Sequence, residues 1–231
     1  MSWILYVLSP VIMHLLISEG IAVLAGTALD SAACTALSSA VVLPAAIRMY
    51  RRDGKLHEKG FGSGAERKSR SEREPGAGQR VKGFLGKCAG NRGAEPLFLL
   101  GCFAGGGILN LLWSGLMNVL GITRLFSNDT QTALLTSGIV MQLLGPGLLV
   151  PIAEELVFRG LCYTRMKMQL PVWQAALFSA LLFALTHGNP IQIIYAFPMA
   201  LILVLLYEKG GMLAGPVLFH MGANLLAILL T

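Results

Sequence analysis

The sequence predicts an all-α polytopic transmembrane helical bundle of about seven spans, within a range of six to eight. Of 231 residues, 55% are hydrophobic and only 13% charged, and the mean hydropathy is +0.66, outside the range of ordinary soluble domains. The apolar residues also fall into separate runs, most of them long enough to cross a hydrocarbon core about 30 Å thick. A third observation orients the bundle: most of its basic residues lie in one segment between those runs.

Residues 1–50 read as a transmembrane hairpin. Trp3 to Leu24 is long enough to cross, and Thr27 to Met49 follows after a short Ala-Gly break. No Lys or Arg precedes Arg48, so the first run lacks the positive flank of a cleaved secretory signal and reads as a retained span. His14, Glu19 and Asp30 interrupt the hairpin. They read as side chains satisfied by neighbours or snorkelling near span ends, and take no catalytic role.

Residues 51–94 change to Arg, Lys, Glu, Gly and Ser, with too few large apolar side chains for a core, so they read as a flexible loop. Twelve Lys or Arg lie between Arg51 and Arg92, which marks this loop as cytoplasmic. The net charge of +6 therefore concerns orientation and lipid headgroups, and no nucleic-acid partner is expected. Gly86-Lys87 lacks the glycine spacing and the Ser or Thr of a phosphate-binding loop. The four cysteines, Cys34, Cys88, Cys102 and Cys162, show no CxxC spacing and imply neither a disulfide framework nor a zinc knuckle.

Residues 95–131 hold the third span and an outer link. Glu95 to Ile122 carries Gly101, Gly105, Gly106 and Gly107, small residues suited to close helix packing. Residues 132–231 form the remaining core. Thr132 to Met168, about 37 residues or roughly 55 Å of helix, is too long for one straight crossing. Gly145-Pro146-Gly147 and Pro151 supply a break, so one kinked crossing is expected, its helix restarting just before Glu154. Pro171 to His187, Ile191 to Tyr207 and Met212 to Leu230 are the last three spans.

Within this core, Pro151 to Gly160 places Glu154, Glu155 and Arg159 inside an otherwise apolar run. Each charge costs on the order of 3 kcal/mol at mid-membrane depth, so the three must be paired or solvated in a cavity. Glu155 and Arg159 are four apart and share a helix face, an ion pair with the Glu on its favourable N-terminal side. Glu154 points roughly 100° away and is the spare carboxylate.

The other polar residues of these spans are His187, His220 and Asn224. His220 and Asn224 share a face, and Phe183, four before His187, is expected to stack a ring under that imidazole. Counted from the cytoplasmic turns at 1.5 Å per residue, Glu154 lies about 21 Å deep, His187 about 24 Å, Asn224 about 20 Å and His220 about 13 Å. Three spans thus bring a carboxylate, two imidazoles and an amide to similar heights. Such a set is hydrolytic: the carboxylate is a general base, a nearby His shares the proton or orients a water, and the remaining His and Asn stabilise an oxyanion. Ser179 and Cys162 read as small packing residues, which favours attack by activated water over an acyl-enzyme.

Glu154-Glu155-x-x-x-Arg159, Phe183-x-x-x-His187 and His220-x-x-x-Asn224 resemble, in order, the three motifs of the CPBP family of CAAX proteases and bacteriocin-processing enzymes, which includes the Ras-converting CAAX endoprotease. The likeness covers roughly Gly147 to Leu230. It implies an intramembrane endopeptidase in which Glu154 and His187 activate water, His220 and Asn224 bind the oxyanion, and Glu155, Arg159 and Phe183 organise the site. It implies no cofactor, a membrane-associated or lipidated peptide or protein as substrate, and an integral protein of a bacterial cell membrane. Three other readings compete: a zinc enzyme with Glu154, His187 and His220 as ligands, a non-catalytic scaffold or bacteriocin-immunity protein, and a transporter. The spacing is not HExxH, Asn is a poor zinc ligand, a pure binder has no use for a costly buried carboxylate, and paired broken helices are lacking.

Overall fold

In a bilayer every backbone N–H and C=O must be satisfied within its own segment, so apolar runs become helices. The structure, a computed structural model, describes residues 3–60, 95–126 and 129–230. It contains α1 (Trp3–Ala25), α2 (Ser31–Gly60), α3 (Glu95–Val119), α4 (Ile122–Leu125), α5 (Asp129–Leu135), α6 (Ile139–Met166), α7 (Val172–Leu185), α8 (Pro190–Gly210) and α9 (Ala214–Leu229), and no strand among the described residues. Helices α1, α2, α3, α6 and α8 are long and apolar enough to cross a membrane. All seven expected apolar segments are helical, but α7 and α9 have only 14 and 16 residues. At about 21 and 24 Å they fall short of a full straight crossing. Exposed leucines and isoleucines such as Ile4, Leu16, Leu97 and Leu112 suit an integral membrane protein whose solvent is lipid.

Helix α6 is the axis of the bundle. Its Ala153, Val157, Phe158 and Leu161 are buried with Val7 and Val11 of α1, Val42 and Ala46 of α2, Ala180 and Ala184 of α7, and Ala200 and Val204 of α8. The expected break at Gly145-Pro146-Gly147 does not occur. Gly145 leaves helical geometry, at φ −75° and ψ −91°, but the helix continues past it through two π-turn stretches, Gly145–Leu149 and Leu156–Tyr163. The chain interrupts earlier, between α5 and α6, where Gln142 Nε2 donates to the carbonyls of Leu135 and Ser137 at 2.8 and 2.7 Å. Asp30 ties this joint to the hairpin turn: its carboxylate accepts from Ala33 N at 2.7 Å and from Gly138 N at 3.4 Å.

The hairpin also differs from expectation at its other end. Helix α2 continues to Gly60 rather than stopping near residue 50, because Asp53 is anchored. Its carboxylate accepts from Arg165 Nε at 2.7 Å. Arg165 is 1% exposed, donates to Tyr6 O and Ser9 Oγ, and lies 4.2 Å from the Tyr6 ring centroid. Most of the basic loop, residues 61–94 with Cys88, lies outside the described residues; Cys34, Cys102 and Cys162 are free thiols.

Helices α3 and α9 cross closely through glycine. A Cβ on Gly106 would collide with the Phe219 carbonyl, and one on Gly222 with the Phe103 carbonyl. Gly101, by contrast, has open space beside it. Asn110 bolts the same crossing, donating to Ala223 O at 3.2 Å and accepting from the Tyr195 hydroxyl of α8 at 2.5 Å. This packing sets where His220 and Asn224 stand.

Candidate active site

Glu154 and Glu155 end an α-helical stretch of α6, Val150–Glu155, and the backbone widens into the π-turns at Leu156. Glu155 is fully buried and accepts from Arg159 Nη1 at 2.9 Å, as its spacing predicts. Arg159, equally buried, places Nη2 3.3 Å from Ala200 O of α8 and its guanidinium 4.5 Å from the Phe183 ring centroid. Two charges this deep are tolerated only because each has several partners.

A third partner comes from α9. His220 Nδ1 lies 2.9 Å from Oε1 of Glu155, the oxygen that also takes Arg159. A carboxylate held against a guanidinium accepts, so Nδ1 carries the proton. That leaves Nε2 facing Glu154, whose Oε2 is 3.8 Å away. Glu154 and His220 are 15% and 12% exposed in their side chains, the accessible part of a cluster otherwise sealed. The depth count put His220 about 8 Å shallower than Glu154. The π-turns between Glu154 and the end of α6 advance less along the axis per residue, which brings the glutamates toward His220.

His187 sits in the turn after α7, between its C-cap Thr186 and Gly188, whose φ of 67° favours glycine. Asn189 then starts α8 by accepting from Ile191 N at 3.0 Å. His187 Nδ1 lies 3.0 Å from Phe183 O; a carbonyl only accepts, so Nδ1 donates and Nε2 is free to accept from a water. Phe183 is the hub of the site. His187 and His220 meet its ring edge-on, at centroid distances of 5.0 and 6.0 Å, and Phe158 at 5.0 Å. The expected stacking under His187 is thus an edge contact instead, at an interplanar angle of 69°.

Asn224 takes a different partner from the rest. Its Nδ2 donates to Pro146 O at 2.8 Å. The reason lies in α6: Val150 N–H bonds five residues back to Gly145 O, and the next residue in that register, Pro151, has no N–H to offer Pro146. Asn224 takes the carbonyl that the proline leaves open, and keeps its second amide proton.

The structure therefore gathers Glu154, Glu155, Arg159, His220, Phe183 and His187, and sets Asn224 one turn beyond His220. Among the described residues, no group of three or more His, Cys, Asp and Glu side chains is placed to hold one metal ion. The site also includes residues that sequence reasoning passed over. Asn110, a lone amide in the Gly-rich third span, was the available signal for the bolt beneath α9. His14 is the second case: its ring meets Phe158 edge-on, with centroids 6.5 Å apart, and Phe158 in turn meets Phe183.

Residues 136–226 match the family model described as Rce1-like, type II CAAX prenyl endopeptidase Rce1-like. This stretch is similar to that family. The match opens at the joint before α6 and closes two residues past Asn224, so the Rce1-like stretch holds all three motifs. Comparison with curated proteins and with solved structures gave no match.

Proposed function

We propose that this protein is a metal-independent intramembrane endopeptidase in which Glu154 and His187 activate water against a peptide bond. The observation that carries the reading is the division of labour within the glutamate pair. Glu155 is consumed by Arg159 and His220, whereas Glu154 is the partly exposed carboxylate facing an imidazole.

In this reading Glu154 takes a proton from water while His187 Nε2 accepts the water's second hydrogen. The water oxygen attacks the carbonyl carbon, and the electron pair of the C=O bond moves to oxygen. That oxyanion is met by the free amide proton of Asn224 and by a proton on His220 Nε2, the ring nitrogen not committed to Glu155. The oxyanion's electron pair then re-forms C=O as the C–N bond breaks, the leaving nitrogen takes the proton held by Glu154, and the remaining hydroxyl proton passes to His187 Nε2, leaving a carboxylate and an amine. Arg159 and Glu155 hold the His220 ring in place throughout.

The family description supports a substrate with a lipidated CAAX-like end, or another membrane-associated peptide, approached from the bilayer. The twelve Lys and Arg of residues 51–92 support a cytoplasmic face for that loop, and the resemblance supports a bacterial cell membrane. The deciding experiment compares the peptides of membranes carrying wild-type protein or Glu154→Gln. A processed product that vanishes with the substitution supports the reading, and identical peptide sets sink it. Cleavage that stops in chelator and returns with zinc would instead favour Glu154, His187 and His220 as ligands.

A further inference from the structure

We infer that His14, on α1 and outside the Rce1-like stretch, is a positioning residue of the hydrolytic site, its Nδ1 holding water against Glu154 and His187. The inference rests on the peptidase reading. His14 sits at the middle of α1, a helix that packs along the π-turned part of α6. Its ring meets Phe158 edge-on, with centroids 6.5 Å apart, and Phe158 in turn meets Phe183, the ring shared by His187 and His220. One continuous aromatic row therefore links α1 to both catalytic imidazoles.

The polar edge of that ring is what requires an explanation. His14 Nδ1 is buried and has no protein partner. Such an atom is costly unless water satisfies it, and a phenylalanine would pack against Phe158 without that cost. The titratable groups that act on it are Glu154 and His187, the two assigned to the attacking water. An ordered water needs two to four polar partners, and in this placement they would be His14 Nδ1, Glu154 and His187. A third donor or acceptor fixes the direction of attack, an effect on turnover rather than on substrate affinity.

The test uses the full chain in detergent micelles. The probe is a quenched-fluorescent peptide with an S-farnesyl cysteine three residues before its carboxyl end, and Glu154→Gln is the blank. His14→Phe keeps the ring against Phe158 and should lower kcat tenfold or more at unchanged KM. His14→Asn, which restores a hydrogen-bonding atom near Nδ1, should recover most of that loss. The second readout needs no turnover: in ¹⁵N-histidine protein, which has four histidines, Glu154→Gln should move the ring-nitrogen resonances of His14. Wild-type kcat in His14→Phe, equal losses in the Phe and Asn variants, or His14 resonances blind to Glu154→Gln overturn the inference. A probe left uncut by wild-type protein, with His14 resonances that do respond, counts against the substrate assignment and leaves the placement of His14 standing.

Discussion

The Nδ1 of His220 lies 2.9 Å from Oε1 of Glu155, so the second glutamate of the pair, rather than the first, fixes the orientation of this ring. Adjacent carboxylates on one helix thereby acquire opposite duties. One is spent on the buried ion pair and the other is left partly exposed, facing the His220 ring.

Stability and activity should separate along that line. Glu155→Gln leaves Arg159 buried opposite a neutral amide and should cost about 3–5 kcal/mol, read as a lower unfolding midpoint in detergent. Glu154→Gln keeps the Glu155–Arg159 pair and should change stability by less than about 1 kcal/mol while cleavage stops. Arg159→Lys should resemble the Glu155 variant, since one ammonium cannot reach Glu155, Ala200 O and the Phe183 face together. Equal stability in Glu154→Gln and Glu155→Gln would remove the division of labour.

The Asn224–Pro146 bond should show coupling to Pro151. Asn224→Ala leaves the Pro146 carbonyl unmet and should cost about 1–3 kcal/mol. Pro151→Ala supplies the missing N–H in the same register, so the cost of Asn224→Ala should shrink in that background. A double-mutant cycle on thermal midpoints measures it. Simple additivity would mean that the proline does not create the vacancy Asn224 fills.

Helix α9 should be sensitive to α3 at one glycine and indifferent at another. Gly106→Ala drives a methyl into the Phe219 carbonyl. It should destabilise by about 1–3 kcal/mol and reduce cleavage, because His220 follows Phe219 on the displaced helix. Gly101→Ala meets open space and should be neutral or slightly stabilising, Ala being the better helix former by up to about 1 kcal/mol.

The hairpin turn should carry a small acid-sensitive contribution. The Ala33 N–H, followed by those of Gly138 and Ala32 and by the Ser137 hydroxyl, holds the Asp30 carboxyl below its ordinary value of 3.8. A depressed carboxyl stabilises the fold fully above that ordinary value, and the benefit fades as pH falls through the folded-state value. Asp30→Asn should therefore lower the unfolding midpoint at pH 6 and bring it level with wild type near pH 2. A constant difference between the two curves would show that Asp30 acts without its charge.

Much of the site was legible because helical spacing and cost are local properties. Glu155 and Arg159 had to pair at four residues apart, and His220 and Asn224 had to share a face, whatever the rest of the chain did. The break in α6 was misread because Gly and Pro report local tolerance. Whether a segment bends or widens into π-turns depends on what receives its freed carbonyls, here Asn224 from a helix 78 residues away. His14 was passed over for a related reason, since a lone imidazole in a first span has no spacing partner to signal its role.

By itself, the amino-acid order determined that the chain is a set of apolar helices, which residues share each face, and that three charges near Glu154 needed partners. Those follow from backbone satisfaction in lipid and from 3.6 residues per turn. Tertiary structure alone decided that Glu155 receives His220 Nδ1, that Asp53 locks Arg165, and that α1 sets His14 against Phe158. These are meetings between helices, set by where glycines let backbones approach and by how far π-turns advance, and no periodicity along one strand of sequence encodes them.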